Sequence, residues 1–261
     1  GGYYLASETC AFDTIRAVFI RDLEPGEMVI LDKNGIHTRQ VIESSCANLC
    51  IFEYIYFARP DSNLQGMNVH LVRRELGRRL AREHPVDADI VSGVPDSSIA
   101  AASGFAEQAG LPYEMALVKN RYIGRTFIKP TQKMREEGVD LKLNAVRKIV
   151  DGKRVVLIDD SIVRGTTSLK LIQIMRRAGA REVHLRISSP PVIGSCYYGI
   201  DIPDPHDLIA HGHSATEIPE MIGADSVGYL SMFEVVEAVG LPADKLCCGC
   251  FNGYYPVLPE K

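Results

Sequence analysis

The chemistry of this 261-residue chain is concentrated in one stretch, Val155-Val-Leu-Ile-Asp-Asp-Ser-Ile-Val-Arg-Gly-Thr-Thr-Ser168. An apolar run ends in two adjacent carboxylates, Asp159 and Asp160. Ser161 and Arg164 follow in a short loop, and Gly165, Thr166, Thr167 and Ser168 open what reads as a helix. The carboxyl end of a parallel strand is where open α/β sheets bind ligands. Free N–H groups and the positive end of a helix dipole favour an anion, Gly165 lets the backbone come close, and three hydroxyls add donors. A phosphate fits there. The carboxylates would repel it, so they suit sugar hydroxyls or a hydrated Mg2+. The loop is not GxxxxGK(S/T), because the lysine is absent, and it is not a GxGxxG fingerprint.

Two further segments point the same way. Ser92-Gly-Val-Pro-Asp-Ser-Ser98 lies between a strand and a helix, so Pro95, Asp96, Ser97 and Ser98 form a second anion-friendly helix start. With Ser97 and Ser98 as donors it would suit a pyrophosphate; the plainer reading is an N-capped helix after a turn. Lys119-Asn-Arg-Tyr-Ile-Gly-Arg-Thr-Phe-Ile-Lys129 puts four cations and a glycine into one expected loop. Such a loop can close over a highly charged substrate and exclude water.

The seven cysteines are Cys10, Cys46, Cys50, Cys196, Cys247, Cys248 and Cys250. An odd count with three crowded near the carboxyl end reads as thiolate ligands or buried thiols rather than as a disulfide framework.

The elements that must position these groups alternate. Cys50 to Ala58, rich in aromatic and β-branched residues, reads as a strand, and Met67 to Glu83 as an amphipathic helix through Val69, Val72, Leu76 and Leu80. Strands are expected at Ala88 to Val91, Glu114 to Val118, Arg154 to Ile158 and Glu182 to Ile187. Helices are expected at Ile99 to Ala109, stopped by Gly110, and at Thr166 to Ala178, with Gly179 beyond its end. This order argues for an α/β fold, a mostly parallel sheet with helices on both faces. Residues 14 to 42 read instead as a small antiparallel β unit, with Ala17 to Ile20 and Met28 to Leu31 separated by turns at Pro25-Gly26 and Asn34-Gly35. His206 to Lys261 is less regular, with short helices near Glu217 to Ile222 and Met232 to Ala238. Arg73, Arg74, Arg78, Arg79 and Arg82, interspersed with Glu75 and Glu83, read as a solvated or subunit-contacting helix face.

Composition narrows the function classes. With 46% hydrophobic and 24% charged residues the chain can bury a core. A net charge of −4 without a long basic block argues against sequence-independent nucleic-acid binding. The longest apolar run, Tyr54 to Ala58, is far short of the ~20 residues of a spanning helix. The Gly1-Gly2-Tyr3-Tyr4 start has no basic region followed by an apolar one, so a cytoplasmic location is expected.

The strings FEYIYFARPDS (52 to 62), SGVPDSS (92 to 98), KNRYIGRTFI (119 to 128), VVLIDDSIVRGTTS (155 to 168) and CFNGYYP (250 to 256) together resemble the glutamine phosphoribosylpyrophosphate amidotransferases. The resemblance implies a type I phosphoribosyltransferase fold and the first committed step of purine synthesis. In that step ammonia displaces pyrophosphate from C1 of phosphoribosylpyrophosphate (PRPP), giving 5-phosphoribosylamine. It further implies Mg2+ at Ser97, Asp159 and Asp160, a ribose-5-phosphate loop at residues 159 to 168, and a flap carrying Lys119, Tyr122 and Arg125. Purine nucleotides of the AMP and GMP class are the implied inhibitors, and a homo-oligomer the implied assembly. In one branch of the family four thiolates hold a 4Fe-4S cluster, and the matching positions are Cys50, Cys196, Cys247 and Cys250; spacing alone leaves zinc open.

The family carries an amino-terminal glutaminase domain that begins with a nucleophilic cysteine. Residues 1 to 44 resemble only the closing part of it, as a small β remnant before a transferase domain over 45 to 261. The chain is therefore expected to be a fragment without glutaminase activity. Cys10 is expected to be a buried structural thiol. Two other functions fit parts of the pattern: a PRPP- or nucleotide-binding regulatory module without catalysis, and a salvage transferase that uses a nucleobase.

Overall fold

The computed structural model describes residues 2–43, 47–120 and 143–257. A short helix α1 (Cys10–Ile15) precedes an antiparallel hairpin of β1 (Glu27–Asp32) and β2 (Gly35–Gln40), in which Asp32 faces Gly35 across the expected Asn-Gly turn. Ala17 to Ile20 forms no strand. No described strand lies beside it to complete a ladder, and Val18 and Ile20 remain exposed.

After β3 (Leu49–Cys50) the expected strand through Ala58 does not continue; Glu53–Phe57 is a single π-helical turn. The reason lies in the spacing of the apolar residues. Ile51, Tyr54, Ile55 and Ala58 are all buried, at steps of three, four and seven, which one helical face satisfies and a strand of alternating faces does not. A two-strand turn of β4 (Asn63–Leu64) and β5 (Met67–Asn68) leads into α2 (Val69–Glu83). This helix starts two residues later than its periodicity suggests, because the Asn68 side chain caps it by accepting from the Leu71 N–H at 3.2 Å.

Next come β6 (Ile90–Gly93), α3 (Ile99–Ala109), β7 (Leu117–Lys119), β8 (Leu143–Ala145), α4 (Arg147–Val150), β9 (Arg154–Asp159), α5 (Thr166–Arg177) and β10 (Glu182–Ile187). The chain then forms α6 (Ile218–Ile222), β11 (Ser226–Tyr229), α7 (Met232–Val239), β12 (Leu246–Cys247) and α8 (Gly249–Asn252). The central sheet is parallel, in the order β11-β10-β9-β6. Its edge strand β11 was not legible in the sequence, whose Ser-Val-Gly-Tyr offers only four residues of pattern.

Both faces of the sheet are buried, as parallel sheets require. Val156 and Ile158 of β9 pack with α2, α3 and the Glu53–Phe57 turn, whereas Val155 and Leu157 pack with α5 and α6. On the first face α2 and α3 approach backbone to backbone. A Cβ on Gly77 would sit 1.8 Å from the Ala101 carbonyl oxygen, and one on Gly104 would sit 1.9 Å from that of Arg74. The arginine face of α2 is therefore not simply solvated. Arg74 and Arg78 pair with Glu107 of α3 at 2.8 and 3.0 Å, and Arg79 pairs with Glu234 of α7 at 2.5 Å. Arg73 is buried outright. None of the described helices is long and apolar enough to cross a membrane.

Candidate active site

The carboxyl ends of β6 and β9 lie side by side, and this adjacency builds the site. Strand register sets Gly93 against Ile158, and the Val94 N–H donates to the Ile158 carbonyl at 2.9 Å. The loop after β6 is thereby held against the loop after β9. Ser97 Oγ donates to Asp160 at 2.5 Å and Ser98 Oγ donates to Asp159 at 3.2 Å. Ser161 Oγ adds a bond to Asp160 at 2.8 Å, and the Asp160 N–H donates to the Asp159 carboxylate at 3.0 Å. Ser98 thus does not cap α3 with its side chain, and both serine hydroxyls, expected from the sequence to face an anion, are directed here at the carboxylates.

Those carboxylates are buried. Desolvation and the charge of Asp160 push Asp159 well above the usual carboxylate range. Asp160 is raised by burial as well, opposed by hydrogen bonds from Ser97 and Ser161 and by the nearby Arg73 guanidinium. The Arg73 cation and the two hydroxyls thus offset part of the burial at Asp160, which stays raised on balance.

Arg73 is the residue that sequence reasoning misplaced. Its guanidinium donates to the carbonyls of Tyr54 at 2.8 Å, Ala58 at 2.8 Å and Glu53 at 3.3 Å. It satisfies the exposed carbonyls of the π-helical turn and places positive charge within electrostatic reach of Asp160. The available signal was its position: Arg73 follows Val72 and precedes Leu76 by three, so it lies on the apolar side of α2.

On the far side of the carboxylates Gly165 has φ +78 and leads directly into α5. A side chain there would be strained in the left-handed region and would sit 2.5 Å from Ile209 Cδ1. Thr166 and Thr167 are exposed at the helix start and Ser168 is buried. The first-turn N–H groups of α5 have no acceptor within the helix, which is what an anion requires. Arg164 is exposed and pairs with Asp207 at 3.3 Å, and the Ile209 N–H donates to Val163 at 2.9 Å, so the 207–209 segment buttresses the loop. Lys119, at the end of β7, pairs with Asp96 at 2.7 Å on the rim. Tyr122 and Arg125 lie outside the described residues. Pro95 is half-buried, and the peptide it shares with Asp96 is cis.

A second cluster lies beyond the π-helical turn. Cys50, Cys196, Cys247 and Cys250 line one cavity of about 820 Å3, together with Tyr198 and Tyr255. Cys50 and Cys247 are direct partners across the parallel β3 and β12 pair. The Ile193 and Gly194 N–H groups donate to the Cys250 carbonyl at 2.9 and 3.1 Å, which brings in the Cys196 segment. Burial pushes the Cys50 thiol up to about 11 and raises Cys250 further. Cys196 differs: burial opposes its ionisation, but the N–H groups of Tyr198, Gly199 and Ile200 outweigh that and hold its thiol below the usual range. Among the described residues no three His, Cys, Asp or Glu side chains converge closely enough to hold a metal ion; the four thiols are spread round the cavity wall. Cys10 and Cys248 are buried and line no part of this cavity, while Cys46 lies outside the described residues.

Residues 68–188 match the phosphoribosyl transferase domain family. The chain is 52% identical to the amidophosphoribosyltransferase of Bacillus subtilis (strain 168) over 258 residues, which is 97% of this chain and 54% of that protein. It is 51% identical to that of Archaeoglobus fulgidus, over 98% of this chain and 56% of that protein. Among solved structures it superposes on glutamine PRPP amidotransferase from B. subtilis complexed with ADP and GMP, with TM-score 0.88, 52% identity, and coverage of 96% of this chain and 56% of that one. It thus spans about half the length of the curated relatives it matches. The fold is that of a phosphoribosyltransferase, and the chain belongs to the amidophosphoribosyltransferase family.

Proposed function

We propose that this chain carries the phosphoribosyl-transfer site of an amidophosphoribosyltransferase, in which ammonia displaces pyrophosphate from C1 of PRPP to give 5-phosphoribosylamine, the first step of purine biosynthesis. The observation that carries this reading is the buried Asp159-Asp160 pair, anchored by Ser98 and Ser97 from the neighbouring strand end and followed by the Gly165 helix start.

In this reading the N–H groups and hydroxyls of Thr166, Thr167 and Ser168 hold the ribose 5-phosphate, with Arg164 on its exposed side. Asp159 and Asp160 orient the ribose and, with Ser97, offer hard oxygen donors to Mg2+. The fit is electrostatic, since two carboxylates so buried call for a countercharge. Bound there, Mg2+ would supply positive charge against the departing pyrophosphate. Lys119 stands on the rim beside Asp96, and Tyr122 and Arg125 of the same loop would meet the pyrophosphate as negative charge grows on it. Ammonia that arrives unprotonated in a water-poor site needs no strong base.

Cys50, Cys196, Cys247 and Cys250 are proposed to hold a 4Fe-4S cluster. Four soft thiols round a wide cavity suit a polynuclear sulfide group better than one zinc ion, whose bonds of about 2.3 Å draw all four sulfurs onto a point. Such a cluster would tie the tail to the Cys50 segment. Residues 45–261 act as the transferase domain and 1–44 as an appended β unit, whose β1 and β2 pair only with each other among the described strands, while its Glu8 and Thr9 side chains accept from Arg59, Ser62 and Asn63. Purine nucleotides of the AMP and GMP class would compete through their own phosphate, as the ADP- and GMP-bound relative suggests. Self-association into a homo-oligomer has exposed apolar side chains such as Phe233 available to it, and the setting is the cytoplasm.

Pyrophosphate release from PRPP tests the transfer. It should occur with Mg2+ and ammonium, and not with any purine base or with PRPP alone. Release with a base would make the chain a salvage enzyme; PRPP binding without any release would make it a regulatory module.

A further inference from the structure

Two tyrosines sit side by side near the carboxyl end with opposite fates. Tyr254 is 82% exposed, whereas Tyr255 is turned inward and lines the thiol cavity. Its ring occupies the space beside two glycines. A Cβ on Gly249 would lie 2.3 Å from Tyr255 Cδ1, and one on Gly194 would lie 2.7 Å from its hydroxyl oxygen. Gly249 stands between Cys248 and Cys250, and Gly194 lies two residues before Cys196. The ring is therefore seated between the two segments that carry three of the four cavity thiols.

Three other contacts fix it. The Tyr255 hydroxyl donates to the Ser195 carbonyl at 2.6 Å, directly before Cys196. Tyr197 packs on its ring at 4.7 Å between centroids, and Tyr198 at 6.4 Å, both edge-on. Tyr198 in turn donates through its hydroxyl to the Val257 carbonyl at 2.6 Å and accepts from the Val257 N–H at 3.0 Å, which closes the tail over the same side. Cys250, Cys196 and Cys247 all lie within electrostatic range of the Tyr255 hydroxyl. An aromatic ring supplies large rigid area with few torsions to order, so one residue both spaces and covers the segments it touches.

We propose that Tyr255 is the positioning residue of the four-thiol cavity: it wedges the 194–196 segment against the 249–250 segment at the spacing the thiols need, and roofs the cavity against water. Gly194 and Gly249 lack side chains because the wedge needs their space. The proposal rests on the reading that the cavity holds an iron-sulfur cluster, and its test separates the two.

Wild-type chain, Tyr255→Phe, Tyr255→Ala and Gly249→Ala are reconstituted anaerobically with iron and sulfide, and iron release to an iron chelator is followed by absorbance. Residues that orient metal ligands typically change metal affinity about 10–100-fold, so Tyr255→Ala and Gly249→Ala should release iron about 10-fold or more faster. Tyr255→Phe, which keeps the wedge, should stay within about 3-fold of wild type. Release from Tyr255→Ala at the wild-type rate overturns the proposal. In parallel, metal-free proteins are alkylated in the folded state and mapped by mass spectrometry. The alanine variant should expose Cys250 and Cys196 to faster modification, with Cys10 unchanged as an internal control; equal rates overturn the wedge. Should wild type itself take up no iron, the cluster reading fails while the alkylation still decides the role of Tyr255. Gly249→Ala displaces the ring without truncating it and serves if Tyr255→Ala does not fold.

Discussion

The carboxylate site and the thiol cavity each gather acidic groups in a partly dry interior, but they resolve the repulsion differently. Asp159 and Asp160 end a regular strand, and every contact that steadies them comes from the adjoining strand end or from their own loop, apart from the distant charge of Arg73. Cys50, Cys196, Cys247 and Cys250 come from segments with little regular structure, where short strands, a tyrosine wedge and backbone bonds do the gathering. For the carboxylates, fixed partners offset part of the burial that raises both of them. The thiols Cys50 and Cys250 are pushed toward the neutral form and await a cation to reverse that. A regular β-α junction can pre-pay electrostatic order; a cavity built from irregular segments leaves it to the ligand.

Several substitutions would break or sharpen this contrast. The largest effect is expected at Asp160, where Asn removes a ribose and Mg2+ donor; pyrophosphate release with ammonium should fall about 10^2–10^3-fold, measured at saturating PRPP. Arg73→Met should come next. It strands the carbonyls of Tyr54 and Ala58 in the core, while Glu53 keeps the Ala58 N–H, and unfolding by denaturant should show a loss of about 3 kcal/mol. That loss would reach both regions, since the same turn carries Glu53 and Phe57 on the wall of the thiol cavity.

A smaller effect separates the thiols from one another. In metal-free protein Cys196 should react with iodoacetamide about tenfold or more faster than Cys50 at pH 7.5, because only thiolate attacks and the Cys196 sulfur receives three N–H groups, whereas the single N–H of Phe52 at Cys50 is outweighed by burial. Comparable rates would remove the asymmetry claimed for the cavity. The smallest effect carries an opposite sign. The folded-state pKa of Asp159 is raised, so its contribution to stability is full below the unfolded value near 3.9 and is lost as pH rises through the folded one. Asp159→Asn should therefore raise the unfolding midpoint at pH 7 by about 2–4 °C and leave it nearly unchanged at pH 4. A lower midpoint at pH 7 would show that the pair is compensated more fully than its burial indicates.

The junctions that carry the carboxylate site were legible because their signals are local. Ile99–Ala109 and Glu182–Ile187 appear within the bounds their residues suggest, and the apolar run before Asp159 forms the strand expected of it. The thiol side was less so. The aromatic and β-branched string after Cys50 has high strand propensity, yet its buried positions fall on a helical face against α2, and tertiary packing overrode propensity. Ser97 and Ser98 were read as donors to a ligand from their place before a helix. Their turn toward Asp160 and Asp159 depends on the registration of β6 with β9, which no local pattern encodes. Arg73 was hidden by its arginine neighbours, and Tyr255 by an exposed twin at the preceding position.

The glycine contact between α2 and α3 sets a rule for how this sequence can drift. Gly77 and Gly104 each face the other helix's backbone rather than a side chain, so no rearrangement of rotamers can make room for even a methyl group at either place. A replacement must move a whole helix, and with α2 goes Arg73, with α3 the Ser97-Ser98 turn. Two residues without functional groups are thereby as little open to variation as the aspartates, and a mutational scan of the gene should score them so.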